Sequence, residues 1–510
     1  MKTYVFALSV IVALSIQDVV GQEASSMFDL MKRYDQNEQN YKQLYYYNPS
    51  NMGDYSSFTI SDFSLNYDKE KRDTYLLQKG SELEELRLNV NSYKKLKNNR
   101  TIWGSASYKN QLNKDIVWNN NVDLDKIGPF IMGDSVANNL KAEIYEFKGG
   151  YVKEIDRWSI GVELGYIANM AYKKRDPRPK AISSDMNLKL GAGYKITPSW
   201  KVDAFGKMHK YTQNTSIIFA NQTQKAGLYQ LQGLGTWNNY FSGKTFKSVY
   251  ETLGLQFGLG ITKKDDFYLV FTTSNDKMNK NASASITSNE GDGNKINELK
   301  SKSYEWMTAK FFNLNTSSKI AVKYSMQYMK KEGTNIYYTN NQDFLKELMR
   351  KKLYSYTDSN HRVEVLYKKE FEKSLLTLST YWMYQSIKET VKEVNNKQNF
   401  TYNYFGVNAS WLQELNSHNS IEVSYHLRFR NTTNSSNQIN KSKLKESIMY
   451  WMESDYNYLK QNYVQNSISL KYSYKHSDFV PVFMTLSFNQ TNFSGDKTNH
   501  FMGASLGVNF

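Results

Sequence analysis

Short segments in which apolar and polar side chains alternate recur along most of this chain. The last eleven residues, His500 to Phe510, read HFMGASLGVNF and place Met, Ala, Leu, Val and Phe on one face and small or polar residues on the other. This spacing of two is the side-chain period of a β-strand with one apolar face. An ordinary half-buried strand gives the same pattern, so the fold is indicated by how many times the pattern recurs along the chain. The repeats predict an all-β chain with more strands than a soluble sandwich contains.

The alternating segments predict about eighteen strands, within a range of roughly 14 to 20. Short connections such as 97–100 alternate with long ones such as 113–138 and 431–462. Short periplasmic turns and long extracellular loops are typical of a transmembrane antiparallel β-barrel with both termini in the periplasm. The predicted strands are 58–67, 83–96, 101–112, 139–152, 157–172, 185–196, 200–213, 249–262, 267–274, 303–312, 319–331, 357–367, 371–386, 402–412, 418–430, 463–474, 480–492 and 501–510.

The amino terminus has the parts of a secretory signal. Lys2 precedes an apolar run from Val5 to Ile16, and Gly21 offers a small residue at which cleavage is expected. The run is too short for a membrane-spanning helix. We therefore divide the chain into a signal peptide (1–22), an amino-terminal periplasmic or lumenal segment (23–57) and an outer-membrane β-barrel (58–510).

The composition agrees with a barrel. The chain contains 40 tyrosines, 26 phenylalanines and 9 tryptophans but only 6 prolines, which suits many strands with aromatic girdles at both membrane interfaces. Its mean hydropathy of −0.66 resembles that of a soluble protein, but barrel strands are half polar. The sequence has no cysteine, which excludes disulfides and thiolate chemistry. With a net charge of +16 and no basic block, we expect outer-membrane lipid and lipopolysaccharide as neighbours rather than nucleic acid.

Two parts of the chain resemble outer-membrane proteins. The last strand, which ends in the aromatic Phe510, resembles the closing strand and export signal of Gram-negative outer-membrane β-barrels. That resemblance implies location in the bacterial cell outer membrane and makes Phe510 an assembly signal for the barrel-assembly machinery. The motifs SYKKL, IWGSASY, DIVWNN, GDSV, FKGGY, RDPRP and LQGLGTW, between Ser92 and Lys244, resemble an uncharacterised Bacteroidota outer-membrane β-barrel family. Members of that family are often found beside TonB-dependent receptors, which implies such a receptor as a partner but no activity.

The tripeptide from Asn48 to Ser50 has two interpretations. It resembles the N-P-A turn near the start of the long-chain fatty-acid transporter barrels, in which the amino terminus forms a hatch inside the lumen. A simple Asx-Pro turn before the first strand explains the same residues. The chain is not itself a TonB-dependent receptor, because the segment 23–57 is too short for a plug domain and the barrel is smaller than about 22 strands.

Charged residues on the polar faces of the predicted strands are expected to line the lumen. A barrel of about 16 to 18 strands can enclose an aqueous path. A basic excess along that path would favour anionic or zwitterionic solutes, whereas opposed wall charges would form a solvated, mutually neutralising network. The sequence supports both interpretations equally. The lumen-lining candidates are Glu163, Lys189, Lys195, Lys323, Arg362, Glu364, Glu422, His426, Arg428 and Arg430.

Two long loops have the apolar spacing of helices. They are NQDFLKELMRKKL at 341–353 and KSKLKESIMYWMESDY at 441–456, the second with Ser442 as a candidate cap. We hypothesise that a 442–459 helix folds over or into the mouth, packs Trp451 against the inner wall and narrows the path. Alternatively, both helices form a cap or bind a partner. In the 214–248 loop, Leu228–Leu234 is a candidate for a strand of an external hairpin. The constriction candidates are Phe344, Leu348, Ile448, Trp451 and Met452.

The sequence contains no recognisable catalytic or cofactor motif. None of the six histidines lies in a nucleophile motif, and the acidic tracts at 123–125 and 289–294 lack the full ligand set of a calcium loop. We therefore predict no enzyme activity, no metal site and no cofactor. The preferred function is a channel or an accessory pore component of nutrient uptake. The alternatives are a non-conducting barrel whose loops bind a partner receptor, a glycan or a surface, and an outer-membrane hydrolase.

Overall fold

Eighteen long strands form the body of the molecule in a computed structural model, which describes residues 27–33, 35–221, 227–284, 293–341, 344–475 and 480–509. The predicted signal peptide and Phe510 lie outside these residues. With strands numbered in chain order, the long ones are β1 (Ile60–Arg72), β2 (Glu82–Leu96), β3 (Arg100–Ile116), β5 (Asn138–Ile155), β6 (Trp158–Lys173), β7 (Arg178–Lys195), β8 (Trp200–Ile218), β11 (Lys247–Lys263), β12 (Phe267–Ser283), β13 (Asn294–Asn315), β14 (Ser318–Asn341), β15 (Phe344–Glu370), β16 (Ser374–Val391), β17 (Asn396–Asn416), β18 (Asn419–Gln438), β19 (Tyr463–Tyr474), β20 (Val482–Phe493) and β21 (Lys497–Asn509).

The long strands close into one antiparallel barrel. Each pairs with its neighbours along the chain, and β21 pairs with β1 from Asp62 opposite Asn509 to Arg72 opposite Asn499. The prediction of an antiparallel β-barrel of eighteen strands is therefore confirmed. We call the end at which β1 begins and β21 finishes the terminal end, and the opposite one the loop end.

The helix predicted at 341–353 is wrong. Strands β14 and β15 form one long hairpin whose pairing reaches Asn341 opposite Phe344. Leu348 lies on β15 and is 60% exposed, so it is not at a constriction, and the side chain of Phe344 lies outside the described part of the structure. A ladder of backbone hydrogen bonds with the neighbouring strand outweighs the weak helix propensity of this segment.

The outer face of the barrel is apolar along nearly every strand. Leu164, Leu190, Phe257, Leu259 and Met502 are each more than half exposed, and they alternate with residues of the inner face. Leaving such surface in water costs about 25 cal/mol per Å². The alternation thus has the sense that the sequence predicts, with the apolar face outward and the polar face toward the lumen.

The amino-terminal segment occupies the lumen at the terminal end. It contains the helices α1 (Met27–Arg33), α2 (Gln36–Tyr41) and α3 (Gln43–Tyr46) and the 3-10 helix Pro49–Asp54. The 3-10 helix contacts β5, β6 and β7 on their inner face. We call residues 35–56 the N-terminal plug. No helix among the described residues is both long and apolar enough to span a membrane.

Three connections fold inward at the loop end, and we call residues 116–137, 228–246 and 446–459 the loop plug. It contains the helices α4 (Leu124–Ile127) and α5 (Glu446–Leu459) and a small sheet of β4 (Met132–Gly133), β9 (Tyr229–Gly233) and β10 (Thr236–Trp237). The strand predicted at Leu228–Leu234 is present as β9, which forms a hairpin with β10, but the hairpin is not external, because Leu231 is only 1% exposed. Ser442 is not the helix cap. The segment Lys441–Lys443 forms a 3-10 turn, and α5 begins only after Lys445. A separate 3-10 turn, Lys392–Val394, connects β16 and β17.

Candidate functional site in the barrel lumen

Two glycines on the inner wall make room for the N-terminal plug. A Cβ atom on Gly161 would overlap the backbone of Pro49, and one on Gly191 would overlap the side chain of Asn48. The Ser50 N–H donates to Asn48 Oδ1 at 3.0 Å, and so Asn48 caps the 3-10 helix. The Asx turn and the position inside the barrel, which the sequence offers as alternative interpretations, are therefore both present.

Tyrosines hold the plug against charged wall residues. Lys189 Nζ lies 3.6 Å from the ring centre of Tyr47, and Lys323 Nζ lies 4.1 Å from that of Tyr41. The Tyr41 hydroxyl also donates to the backbone carbonyl of Glu364 at 2.6 Å. A cation–π contact contributes about 0.5–2 kcal/mol, with the larger values where water is excluded. These wall charges thus bind the plug instead of facing an open path.

An ion-pair cluster fixes the plug at the rim of the terminal end. Glu38 lies 2.9 Å from Lys42, 3.0 Å from Lys319 and 3.5 Å from Lys368. Burial raises the pKa of Glu38, but the three lysines outweigh it and lower the pKa from 4.5 to about 2. A carboxyl with a lowered pKa stabilises the bound state above its ordinary pKa, and this stabilisation is lost only as the pH falls toward 2. The N-terminal plug is therefore expected to stay seated across the physiological pH range.

Two stacked tryptophans form the centre of the loop plug. The ring centres of Trp118 and Trp451 lie 5.2 Å apart with 15° between their planes. Ile448 and Met452 of α5 are buried in the same apolar cluster, together with Tyr211 from the inner wall. A helix thus exists within the predicted range 442–459, but the stacking partner of Trp451 is a second loop and not the wall. Buried aromatic pairs of this kind contribute about 0.5–1.5 kcal/mol beyond their apolar area.

A buried carboxyl links α5 to the β1–β2 connection. Asp455 Oδ1 accepts from the Leu77 N–H at 3.1 Å, and its Oδ2 accepts from Trp451 Nε1 at 2.7 Å. Burial raises the pKa of Asp455 from 3.8 to about 7, although both hydrogen bonds lower it. A raised pKa means that the docked helix favours the protonated carboxyl, so its stability falls as the pH rises from 3.8 through 7.

We expect α5 to loosen between pH 5 and pH 8, across the pKa of about 7 for Asp455. The chain has no cysteine, so a nitroxide on Tyr450→Cys, at an exposed position of α5, is a unique probe of helix mobility. Spin-label mobility should be greater at pH 8. Adding Asp455→Asn should make the two spectra alike, and a difference that persists in that variant would contradict the role of this carboxyl.

A polar chamber remains beside the N-terminal plug. Its volume is about 280 Å³, and it lies against β16 to β20. Hydroxyl and amide side chains, among them Ser379, Asn408, Ser424 and Ser469, line part of its wall, and Asn37 of the plug lies on another side. Such a wall offers hydrogen-bond donors and acceptors without net charge.

The predicted lumen-lining residues separate into groups. The first group surrounds the N-terminal plug and consists of two ion pairs, Lys189 with Glu163 and Lys323 with Glu364. Residues that lie together on β15 and β18, next to the chamber, are Arg362, His426, Arg428 and Arg430. Two stand apart: Lys195 pairs with Glu154 at 2.8 Å, and Glu422 accepts from Ser410 at 2.9 Å. The first group matches a neutralising network, whereas the three arginines of the second group give an excess of positive charge.

Comparison with known proteins assigns the chain to a family. A family model described as a family of unknown function, DUF6850, matches residues 49–510. The chain belongs to this family. A comparison with curated proteins found no match.

Solved structures with similar barrels have little sequence identity to this DUF6850 protein. BauA, the ferric preacinetobactin receptor from Acinetobacter baumannii, is 9% identical with a TM-score of 0.39, over 89% of this chain and 80% of that one. FyuA, the ferric yersiniabactin uptake receptor from Yersinia pestis, is 9% identical with a TM-score of 0.37, over 88% and 80%. A mutant of the monoaromatic hydrocarbon channel TodX is 8% identical with a TM-score of 0.31, over 91% and 92%. Values this low carry no inference about ligand or mechanism.

The sequence-based prediction missed several residues of this lumen site. Alternation places Gly161 and Gly191 on the lumen face, but it does not indicate that they seat another segment. A recurrent glycine on the polar face of neighbouring strands was the available signal, because such a residue permits close approach of a second backbone. Trp118 gave no signal, since its partner Trp451 is distant in the sequence.

Proposed function

We propose that this protein is a gated outer-membrane channel for the uptake of small polar solutes, closed by the N-terminal plug and narrowed by the loop plug. The observation that carries the proposal is the N-terminal plug seated in the space left by Gly161 and Gly191. A barrel of about 16 to 18 strands is wide enough for an aqueous path, so occupation of its lumen from both ends is a closed state rather than a filled core. The proposal assigns no catalytic step to the barrel.

The plug packs Tyr41, Tyr45 and Met52 in apolar clusters against the wall, but several of its contacts are polar, and these favour its displacement. Lys201 Nζ donates to the Ser50 carbonyl at 3.1 Å, and Asn48 Nδ2 donates to Asp203 Oδ1 at 2.6 Å. Gln39 Oε1 and Asn51 Oδ1 are buried without a hydrogen-bond partner among the described residues, a situation that bound water relieves. Protein–water hydrogen bonds replace such contacts at a net difference of about 0.5–1.5 kcal/mol each. These polar contacts therefore make release of the plug easier than release of a purely apolar interface would be.

The outer-membrane location is part of the same proposal. It is supported by the apolar outer face of the barrel, the predicted signal peptide and the terminal Phe510. The resemblance to a Bacteroidota barrel family adds a neighbouring TonB-dependent receptor as a proposed partner that moves the plug. Lipopolysaccharide and outer-membrane lipid would surround the barrel.

Deletion of residues 35–56 tests the channel directly. The purified wild type should give little conductance in planar bilayers, and the deletion variant should conduct, because the terminal end would then be open. Equal conductance of the two proteins, both resistant to detergent unfolding on unboiled gels, would reject the gated channel.

Removal of Phe510 tests the assembly signal. We expect deletion of Phe510, or its replacement by aspartate, to reduce the amount of folded barrel in the outer membrane severalfold, because the terminal aromatic is the proposed recognition feature. Phe510→Tyr is the matched control, since it keeps an aromatic ring. Normal membrane yield of the aspartate variant would argue against the signal.

A second candidate function is ligand binding at the loop end without conduction. It is favoured by a pocket of about 440 Å³ near β10 and the β14–β15 hairpin. Trp237, Tyr240 and Tyr337 line this pocket together with the amides of Gln232 and Asn239, a combination that suits a glycan or a partner receptor. Binding of neutral glycans on an array, lost in Trp237→Ala, combined with no conductance of the plug-deleted barrel, would favour this candidate over the channel.

A further inference from the structure

The wall formed by β15 to β18 carries two arginines and a histidine gathered around one tyrosine ring. The guanidinium carbon of Arg362 lies 3.8 Å from the ring centre of Tyr381, and the His426 ring stacks near the same tyrosine at 6.4 Å. The ring reaches this position because Gly406, the cross-strand neighbour of Tyr381, has no side chain, and a Cβ there would overlap the ring. Gly406 is in turn paired with Arg428 on β18, so Tyr381 lies between Arg362 and Arg428.

Arg428 has no acidic partner. Its guanidinium carbon lies 4.5 Å from the ring centre of Tyr404, and its Nε is buried without a hydrogen-bond partner among the described residues. No carboxylate of the described residues lies within the 4.0 Å ion-pair distance of Arg428, although the residue is partly exposed to the lumen. A guanidinium presents five N–H donors in a planar fork, which suits an oxyanion bidentately.

The neighbouring charges increase the positive potential at this position. Arg430 donates to the backbone carbonyl of Gln461 at 2.6 Å, so neutral groups satisfy its hydrogen bonds and its charge stays uncompensated. Glu364 is the nearby acid, but it is shared between Arg362 at 3.1 Å and Lys323 at 3.3 Å. The cluster therefore has an excess of cations beside low-dielectric protein walls, where an anion is attracted more strongly than in bulk water.

The cluster adjoins the polar chamber. His426 lines the chamber, and Arg428 lies two residues farther along β18 on the same face, toward the loop end. The hydroxyl and amide groups of Ser424, Ser467 and Asn489 lie on the chamber wall. A solute that places its anionic group on Arg428 would therefore have its remaining polar groups in hydrogen-bonding surroundings.

We propose that Arg428, with Arg362 and His426, is the binding site in the lumen for the oxyanion of a small, polyhydroxylated solute that carries a carboxylate or a phosphate. This proposal rests on the proposed function, because it makes the lumen the path of that solute. Arg428 is the primary contact, and Arg362 contributes charge across Tyr381. The chamber of about 280 Å³ has room for a small organic acid or a sugar phosphate.

Equilibrium dialysis of the purified full chain tests the site without any need for conduction. Radiolabelled citrate and inorganic phosphate are the probes, at constant ionic strength, so that the two arms distinguish carboxylate from phosphate. Arg428→Met keeps the length of the side chain and its packing on Tyr404 but removes the charge, and it should weaken binding of the preferred probe at least about tenfold, as expected for charged hydrogen bonds. Arg428→Lys should give an intermediate affinity, because it keeps the charge and loses the fork.

Lys148→Met is the matched control. Lys148 lies on β5, on the opposite wall, and has the same charge to lose. Binding to this variant should equal that of the wild type, and unboiled gels should confirm that all variants are folded. Equal affinity of the wild type and Arg428→Met, an equal loss in Lys148→Met, or no binding of either probe to the wild type and to the protein without residues 35–56 would each overturn the site.

The outcomes separate this site from the channel. Binding that depends on Arg428 in a barrel that never conducts would support the anion site and reject the channel. Conduction after deletion of the plug with no binding that depends on Arg428 would do the reverse. In a conducting variant, a salt gradient should give a reversal potential that shows anion selectivity, and Arg428→Met should shift it toward cations.

Discussion

Replacing Gly161 with valine should convert the closed barrel into a conducting one. The new Cβ would occupy the position of the Pro49 backbone, which cannot move aside as the end of a flexible side chain can. Valine suits a strand, so the wall should keep its pairing while the N-terminal plug loses its seat. Because a barrel of this size leaves an aqueous path once emptied, we expect conductance in planar bilayers to rise by at least about tenfold.

Gly206→Val provides the matched control for this variant. Gly206 lies on β8, and a Cβ there would meet only the Phe257 ring at an ordinary 3.8 Å. The substitution is chemically identical but leaves the plug untouched, so this variant should remain closed. If both variants are folded on unboiled gels and conduct equally, the plug is not the gate. Lowering the pH should not open the barrel as Gly161→Val does, because the lysines around Glu38 keep that carboxyl ionised down to a pH near 2.

The barrel was predictable because its signal is local. A strand with one lipid-facing and one lumen-facing side alternates with a period of two, whatever its neighbours are, and this alternation identified all eighteen strands. The same period assigned residues such as Lys189 and Arg428 to the polar face. Boundaries were less accurate at the loop end, where β14 and β15 extend beyond the membrane-length alternation and depend on each other for their hydrogen bonds.

The contents of the lumen were not predictable, because they depend on contacts between distant segments. The segment at 341–353 has helical spacing, but its pairing with β14 decides its structure. The segment at 446–459 has similar spacing and does form a helix, since it has no strand partner and buries Ile448 and Trp451 in the loop plug. Alternation likewise cannot distinguish a wall lysine that faces water from one such as Lys189, whose ammonium group contacts the ring of Tyr47 in the plug.

Replacing Trp451 with alanine should widen the path that the loop plug narrows, and the effect should be measurable only where the N-terminal plug no longer closes the barrel. The substitution eliminates the stack with Trp118 and leaves a cavity among buried residues such as Ile448, a change that typically destabilises by about 3–5 kcal/mol. A loss of this size lowers the equilibrium constant for docking of α5 by at least about a hundredfold. In the Gly161→Val background, Trp451→Ala should therefore raise single-channel conductance above that of Gly161→Val alone.

Two controls establish that the closures act in series. Tyr450→Ala removes an aromatic side chain from the same helix, but Tyr450 is 67% exposed, so this variant should leave conductance unchanged in either background. Trp451→Ala with an intact Gly161 should stay closed, because the N-terminal plug still fills the terminal end. Conduction of that single variant would mean that the N-terminal plug does not seal the barrel. If instead the double variant conducts no better than Gly161→Val, then solutes pass the loop plug in its docked state, and the tryptophan stack is a structural support for the loop-end pocket.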